Sequence, residues 1–265
     1  MAVTDAELAI AAADAGATVV RARYRTDLTR FEKSPTDFAT DADFEAEQIM
    51  LSVLHAARPD DRLVGEESGG TTGEAERTWL VDPLCGTLNY AAGTPLVAVN
   101  VALRVSGSTL AAAVADPFSH EVMWTDGTRA CLRRGGRDQP MHPSASWQLV
   151  DVNLDGPFPN AGWFRAVRML AGRAFADTFR PRVTSTTLAL AWVAAGRRAG
   201  YLTDGALFDN VHFSSGIALC QVAGCIVTGL QGQPLHSGVQ GLIAAADQRT
   251  HAVLLAAVAD QSTDA

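Results

Sequence analysis

Lysine is almost missing from this 265-residue chain: Lys33 is the one lysine among 21 basic residues, and the other 20 are arginine. That bias, with abundant alanine, is the mark of the GC-rich coding common in bacteria. A surface arginine here therefore carries little information, and a retained lysine carries more. Positive charge is also scarce overall: 29 acidic residues leave a formal charge of −8, without the basic footprint that phosphate-tracking nucleic-acid binders need. Cysteines number four, Cys85, Cys131, Cys220 and Cys225, with neither C-x-x-C spacing nor the density of a disulfide framework. A reducing cytoplasm is the expected compartment. The N-terminus lacks the basic region of a secretory signal, and no apolar run reaches the ~20 residues of a membrane span. What is present, 48% hydrophobic and 19% charged residues, is an ordinary globular balance with material for a sizeable core.

Periodicity predicts helices over 5–26, with Leu8, Ile10, Ala12, Val19 and Val20 on the apolar side, and from Asp41 to Ala57 behind a Thr40 cap. In the second helix Phe44, Ile49, Leu51 and Leu54 are expected to face inward. Further helices are expected at 161–176, at 187–199 with Trp192 in the core, at 214–223 and at 248–260. Strands are expected at 62–65, 78–82, 96–105, 109–115, 121–125, 129–133 and 225–228, with a hairpin at Asp126-Gly127. The loop-like stretch 134–146 divides an N-terminal half, about 1–140, from a C-terminal half, about 141–265, of a single domain. Alternating strands and helices argue for a layered α+β architecture. Cys131, Cys220 and Cys225 have apolar surroundings and read as core, and the histidines other than His212 show no ligand spacing.

Three stretches carry the chemistry: Gly65-Glu66-Glu67-Ser68 after a strand, Trp79 to Tyr90 (WLVDPLCGTLNY) after another, and Val211-His212-Phe213-Ser214-Ser215-Gly216 at the start of a helix. Each alone reads as a solvated turn or turn initiator. Together, in this order, they resemble the inositol monophosphatase family, whose pattern runs GEE, W-(V/I)-D-P-(I/L)-D-G-T, then W-D before a small-residue helix. Lys33 to Asp43, Asp116-Pro117 with Glu121, Leu188 to Gly196, and Gly232 to Ala244 extend the resemblance over nearly the whole chain.

The resemblance implies the layered αβαβα sandwich of that family, a small-molecule phosphate substrate, no nucleic-acid or membrane partner, and compatibility with a homodimer. It also implies Mg²⁺, which takes hard oxygen donors. Glu66, Asp82 and the Leu84 carbonyl would hold one ion. Glu67 and Thr87 would orient the attacking water. Gly86 and Thr87 would offer N–H groups to phosphate, with Lys33 and Ser185 nearby on the substrate side. Asp43 resembles a family acid near a third metal position, although an acid in the first helical turn is expected from the dipole alone.

The departures are specific. Where the family has two further carboxylates on its second ion, this chain has Cys85 and His212, and thiolate and imidazole suit Zn²⁺ rather than Mg²⁺. Three readings follow. In the first, standard phosphatase activity is weak or lost, and Cys85 and His212 are a nucleophile–base pair oriented by Asp82, with the thiol pKa lowered by a helix N-terminus, for acyl transfer, cyclisation or hydrolysis. In the second, Asp82, Cys85 and His212 form a three-ligand Zn²⁺ site in a phosphomonoesterase of altered metal preference. In the third, the pocket binds a small ligand without a metal and without catalysis. A lone buried Cys or His is ordinarily core; two at one inferred corner favour catalysis.

Overall fold

The computed structural model describes residues 3–35, 37–70, 75–154, 164–205, 207, 210–237 and 240–261. The chain divides into two compact units: Met1–Pro140 with Thr186–Leu188 and Asp209–Leu219, and Met141–Ser185 with Ala189–Phe208 and Cys220–Ala265.

The first unit begins with helix α1 (Asp5–Arg23), the hairpin β1 (Arg30–Ser34) and β2 (Asp37–Thr40), and helix α2 (Asp41–Ala57). There follow β3 (Arg62–Gly65), β4 (Gly69–Gly70), β5 (Arg77–Cys85), the short helix α3 (Thr87–Ala91), and β6 (Ala98–Val105). The meander β7 (Ser108–Asp116), β8 (Glu121–Thr125), β9 (Ala130–Arg134) and β10 (Arg137–Pro140) completes a sheet ordered β10-β9-β8-β7-β6-β5-β3-β4. Alternation along the strands splits the two faces. Trp79, Val81, Val99, Val101, Leu103 and Trp124 pack with Ala9, Ala13, Ala17, Met50 and Leu54 of α1 and α2. On the other face Leu80, Ala102 and Ala112 pack with Ala218. Asp82 and Asn100, register partners across β5 and β6, belong by the same alternation to this second face.

The second unit holds β11 (Leu149–Val152), α4 (Ala166–Ala171), α5 (Arg173–Thr178), β12 (Arg180–Val183), most of α6 (Leu188–Ala194) and β13 (Gly200–Thr203). Helix α7 (Ser214–Ala223) begins in the first unit, and β14 (Ile226–Thr228), β15 (Leu242–Ala245) and α8 (Gln248–Asp260) close the second. Its sheet runs β12-β11-β13-β15-β14, with β11 parallel to both neighbours and Val150, Val152, Ile243 and Ala245 packed against Phe175, Leu254 and Val258. The class is α+β, as the sequence implies.

Several local expectations are corrected. Phe44 and Ile49 are each 41% exposed. The buried stripe of α2 is instead Ala42, Asp43, Ala46, Glu47, Met50 and Leu54, so two carboxylates occupy positions that a purely apolar pattern assigns to core. Thr40 caps α2 as expected, through a reciprocal box with Asp43. The stretch 134–146 is partly ordered sheet, because β10 pairs with β9. The helix expected at 161–176 is two short helices, α4 and α5, meeting at Gly172; residues 161–163 lie outside the described residues. Trp192 is half-buried, its ring covered by the Arg198 guanidinium at 4.4 Å.

Candidate functional site

Every donor considered below belongs to the first unit. Strand β5 ends at a break: its ladder with β6 runs regularly to Asp82↔Asn100 and resumes only at Cys85↔Ala98. Pro83 has no N–H to offer the ladder. The freed backbone turns so that Leu84 N donates to Asp82 Oδ1 at 3.2 Å. Gly86 then takes φ +108° as the N-cap of α3, a left-handed conformation that costs other residues.

At this break two segments, the end of β5 and the stretch before α7, bring three donors together. His212 Nδ1 lies 2.8 Å from Asp82 Oδ2, and one donor atom each from Asp82, Cys85 and His212 lie within 4.8 Å of one another. Asp82 is fully buried. Burial opposes its charge, but His212, with hydrogen bonds from Glu66 and Asn100, holds the carboxyl below its ordinary pKa. Burial likewise opposes charge on the imidazole, yet Asp82 holds His212 well above its usual value.

Cys85 corrects an expectation. Burial, then the Asp82 carboxylate, push its thiol pKa up, where proximity to a helix start was expected to lower it. Helix α3 spans only five residues, too few dipoles to offset burial beside a carboxylate. The sulfur accepts Thr187 N–H at 3.3 Å, and the His212 imidazole, bonded to Asp82, also hydrogen-bonds Cys85 and works against the upward shift without reversing it. A thiol held protonated is a poor nucleophile.

The second cluster is built on the turn after β3. Lys33 Nζ bonds Glu66 Oε1 at 3.1 Å and Glu67 Oε1 at 2.6 Å. Burial opposes its charge, and Glu67 and Glu66 nevertheless raise its pKa. Burial and then Asp82 push Glu66 up to about 8. Burial also raises Glu67, with Lys33 working against the shift. Glu66 Oε2 is buried with no hydrogen-bond partner and lies 4.0 Å from His212 Nδ1. Thr87 Oγ1 donates toward Asp43 Oδ1 at 3.0 Å and the Leu84 carbonyl at 3.1 Å, and burial raises the Asp43 pKa.

The structure therefore brings Lys33, Glu66, Glu67, Asp82, Leu84, Cys85, Gly86, Thr87 and His212 into one region of the first unit. Ser185 belongs to the other unit. Four residues were given no role in the sequence reading. Glu47 receives Glu67 N–H and Ser68 N–H, both at 2.8 Å; its i+4 spacing from Asp43 was the available signal. Asn100, Thr187 and Ser215 form a buried chain behind Asp82. Only Asn100, a polar residue inside an apolar strand, stood out by pattern.

The donor sets differ in what they suit. Glu66, Asp82 and the Leu84 carbonyl are hard oxygens, and the orphaned Glu66 Oε2 is an acceptor that a cation would satisfy. Asp82, Cys85 and His212 do not fit a second Mg²⁺, because two of the three donors are sulfur and imidazole nitrogen; they fit Zn²⁺ or another softer ion.

Residues 3–263 match the inositol monophosphatase family. An inositol-1-monophosphatase of Mesorhizobium japonicum is 32% identical over 76% of this chain and 75% of its own. The Nus factor SuhB of Salmonella typhimurium is 30% identical over 97% of both chains. Among solved structures, the suppressor protein suhB of Bartonella henselae superposes with a TM-score of 0.83 at 26% identity, covering 94% of this chain and 96% of that one.

Proposed function

The chain belongs to the inositol monophosphatase family, and on that premise we propose that it is a metal-dependent phosphomonoesterase acting on a small phosphorylated molecule, with a cation preference moved from Mg²⁺ toward a softer ion such as Zn²⁺. One observation carries the reading: the convergence of Asp82, Cys85 and His212 donor atoms within 4.8 Å, beside a carboxylate turn of the kind hydrolytic phosphate chemistry uses. Glu66, Asp82 and the Leu84 carbonyl are the hard donors, and Asp82, Cys85 and His212 the soft ones. A bound divalent ion supplies Lewis acidity toward a phosphoryl oxygen and acidifies a coordinated water.

The remaining work falls to the chain. Lys33 offsets the paired charge of Glu66 and Glu67, so both carboxylates can stand in one turn. Glu67, with its raised pKa, is the acceptor for a proton from an attacking water. Thr87, its hydroxyl proton directed to Asp43 and Leu84, keeps oxygen lone pairs available to orient that water. The N–H groups of Gly86 and Thr87 are the phosphate donors in this reading. Burial and Asp82 raise the Cys85 thiol pKa, which weakens it as a nucleophile, and the family match supports phosphoester hydrolysis ahead of acyl transfer or cyclisation.

The test is phosphate release from inositol, sugar and nucleotide monophosphates by chelator-stripped protein reconstituted separately with Mg²⁺, Mn²⁺, Co²⁺ and Zn²⁺, with elemental analysis of the protein as purified. Release with the softer ions exceeding that with Mg²⁺ supports the proposal. No release with any ion would sink it.

A further inference from the structure

Asn100 is fully buried, and both polar atoms of its amide are engaged, in three hydrogen bonds. Nδ2 donates to Asp82 Oδ2 at 3.0 Å and to Thr187 Oγ1 at 2.9 Å. Oδ1 accepts from Ser215 Oγ at 3.0 Å. Two of these partners lead onward. The backbone N–H of Thr187 donates to Cys85 Sγ. Ser215, itself buried, stands in the first turn of α7, three residues beyond His212. One carboxamide thus links the strand end that carries both the carboxylate and the thiol, the Thr187 segment that holds the sulfur, and the start of the helix that follows the imidazole.

We propose that Asn100 is a positioning residue that fixes the mutual geometry of the Asp82, Cys85 and His212 donors, and that ion affinity at this corner depends on its amide. The inference rests on the soft-donor site proposed above. No other side chain of this size does the same work. A carboxylate has no donor for Asp82 or Thr187 and sets a second negative charge beside Asp82. A leucine leaves the Asp82 oxygen and two hydroxyls without their partner in a site closed to water. Asn100 itself holds no donor toward the ion, so it acts through the residues it orients, as outer-shell partners do.

The experiment compares wild type with Asn100→Leu, Asn100→Asp, Thr187→Val and Ser215→Ala, each checked by circular dichroism and thermal melting. Two readouts need no turnover. The first is Co²⁺ titration of metal-free protein, followed through the thiolate-to-cobalt charge-transfer band. The second is the alkylation rate of Cys85 by iodoacetamide without metal. The expectation for Asn100→Leu and Asn100→Asp is a Co²⁺ affinity ~10- to 100-fold weaker, with a weakened sulfur band and faster alkylation. Thr187→Val and Ser215→Ala each cut one link of the chain and give smaller shifts in the same direction; they carry the test if the Asn100 variants do not fold. Folded variants with wild-type cobalt spectra, affinity and alkylation rate overturn the proposal. If wild type takes up no Co²⁺, the soft-metal reading fails, and the alkylation rates alone decide: acceleration across the variants supports a positioning role for Asn100, and unchanged rates refute it.

Discussion

The carboxylate of Glu47 occupies the space that a side chain on residue 65 would need: a Cβ built on Gly65 would stand 2.4 Å from Glu47 Cδ. This contact explains why the turn after β3 begins with glycine, and it seats Glu47 directly beneath the N–H groups of Glu67 and Ser68. The geometry of Glu66 and Glu67 therefore depends on a residue of α2 that holds the turn through its backbone N–H groups.

Removing that support has a predictable cost. Glu47→Ala strips the acceptor from two part-buried N–H groups, a loss of about 1–3 kcal/mol for an unsatisfied donor. Gly65→Ala, which must displace Glu47, is expected to lose stability in the same direction. Chemical denaturation reads both effects, and both variants should also lose most phosphate release through displacement of the carboxylate turn. Glu47→Ala with wild-type stability and activity would show the turn to be self-supporting.

Protonation gives a second prediction, with its sign fixed by direction. Glu66 is raised from its ordinary 4.5 to about 8, so between those values the native state holds a proton that the unfolded chain releases. His212, raised above 6.5, adds a second such proton from that pH upward. Asp82 is lowered from 3.8 and acts only in acid, below this window. Native protein binding the more protons means that stability falls as pH rises, by up to about 1.4 kcal/mol per pH unit for each extra proton. In chelator, the melting temperature of metal-free protein should therefore decline from pH 6 to 9. Glu66→Gln and His212→Gln should each flatten part of the slope. A flat or rising wild-type curve would contradict the assignment. Because a cation displaces these protons, ion affinity should climb over the same range.

The sequence made much of this legible, for reasons that are physical. Strands β3 and β5 and helices α7 and α8 carry clear apolar runs, and α2 a Thr40 cap, so their places were readable. The metal-motif residues were readable because each lies next to a strand or helix end. Phe44 was misassigned because burial in α2 is shared with Asp43 and Glu47, whose charge a hydrophobic pattern discounts, while its own ring meets Phe31 edge-on at 5.1 Å. The Asn100–Thr187–Ser215 chain joins residues 87 and 115 positions apart, a relation with no local signal. The thiol pKa of Cys85 went the wrong way because burial depends on which segments close over a site, and a single sequence does not contain that.

The donor chemistry can be exchanged, and the exchange separates the proposed cation preference from the fold. In Cys85→Asp/His212→Asp, both soft donors become hard oxygens at positions where they reach the same corner as Asp82. Without a cation, these carboxylates stand beside Asp82 and near Glu66, so the metal-free variant should melt below wild type through like-charge repulsion. Mg²⁺ relieves that repulsion. It should raise the variant's melting temperature in a concentration-dependent way, since an ion at 100 times its Kd adds about 2.7 kcal/mol to the native state, and it should raise wild type far less. Phosphate release should follow the same order: wild type favours Zn²⁺ or Co²⁺ over Mg²⁺, and the double variant reverses that preference, since hard oxygen donors suit Mg²⁺. The single variants, each retaining one soft donor, should fall between. Were the double variant to respond to Mg²⁺ in stability and in turnover as wild type does, Cys85 and His212 would not be the residues that set the ion, and the preference would have to be sought at Glu66 and the Leu84 carbonyl instead.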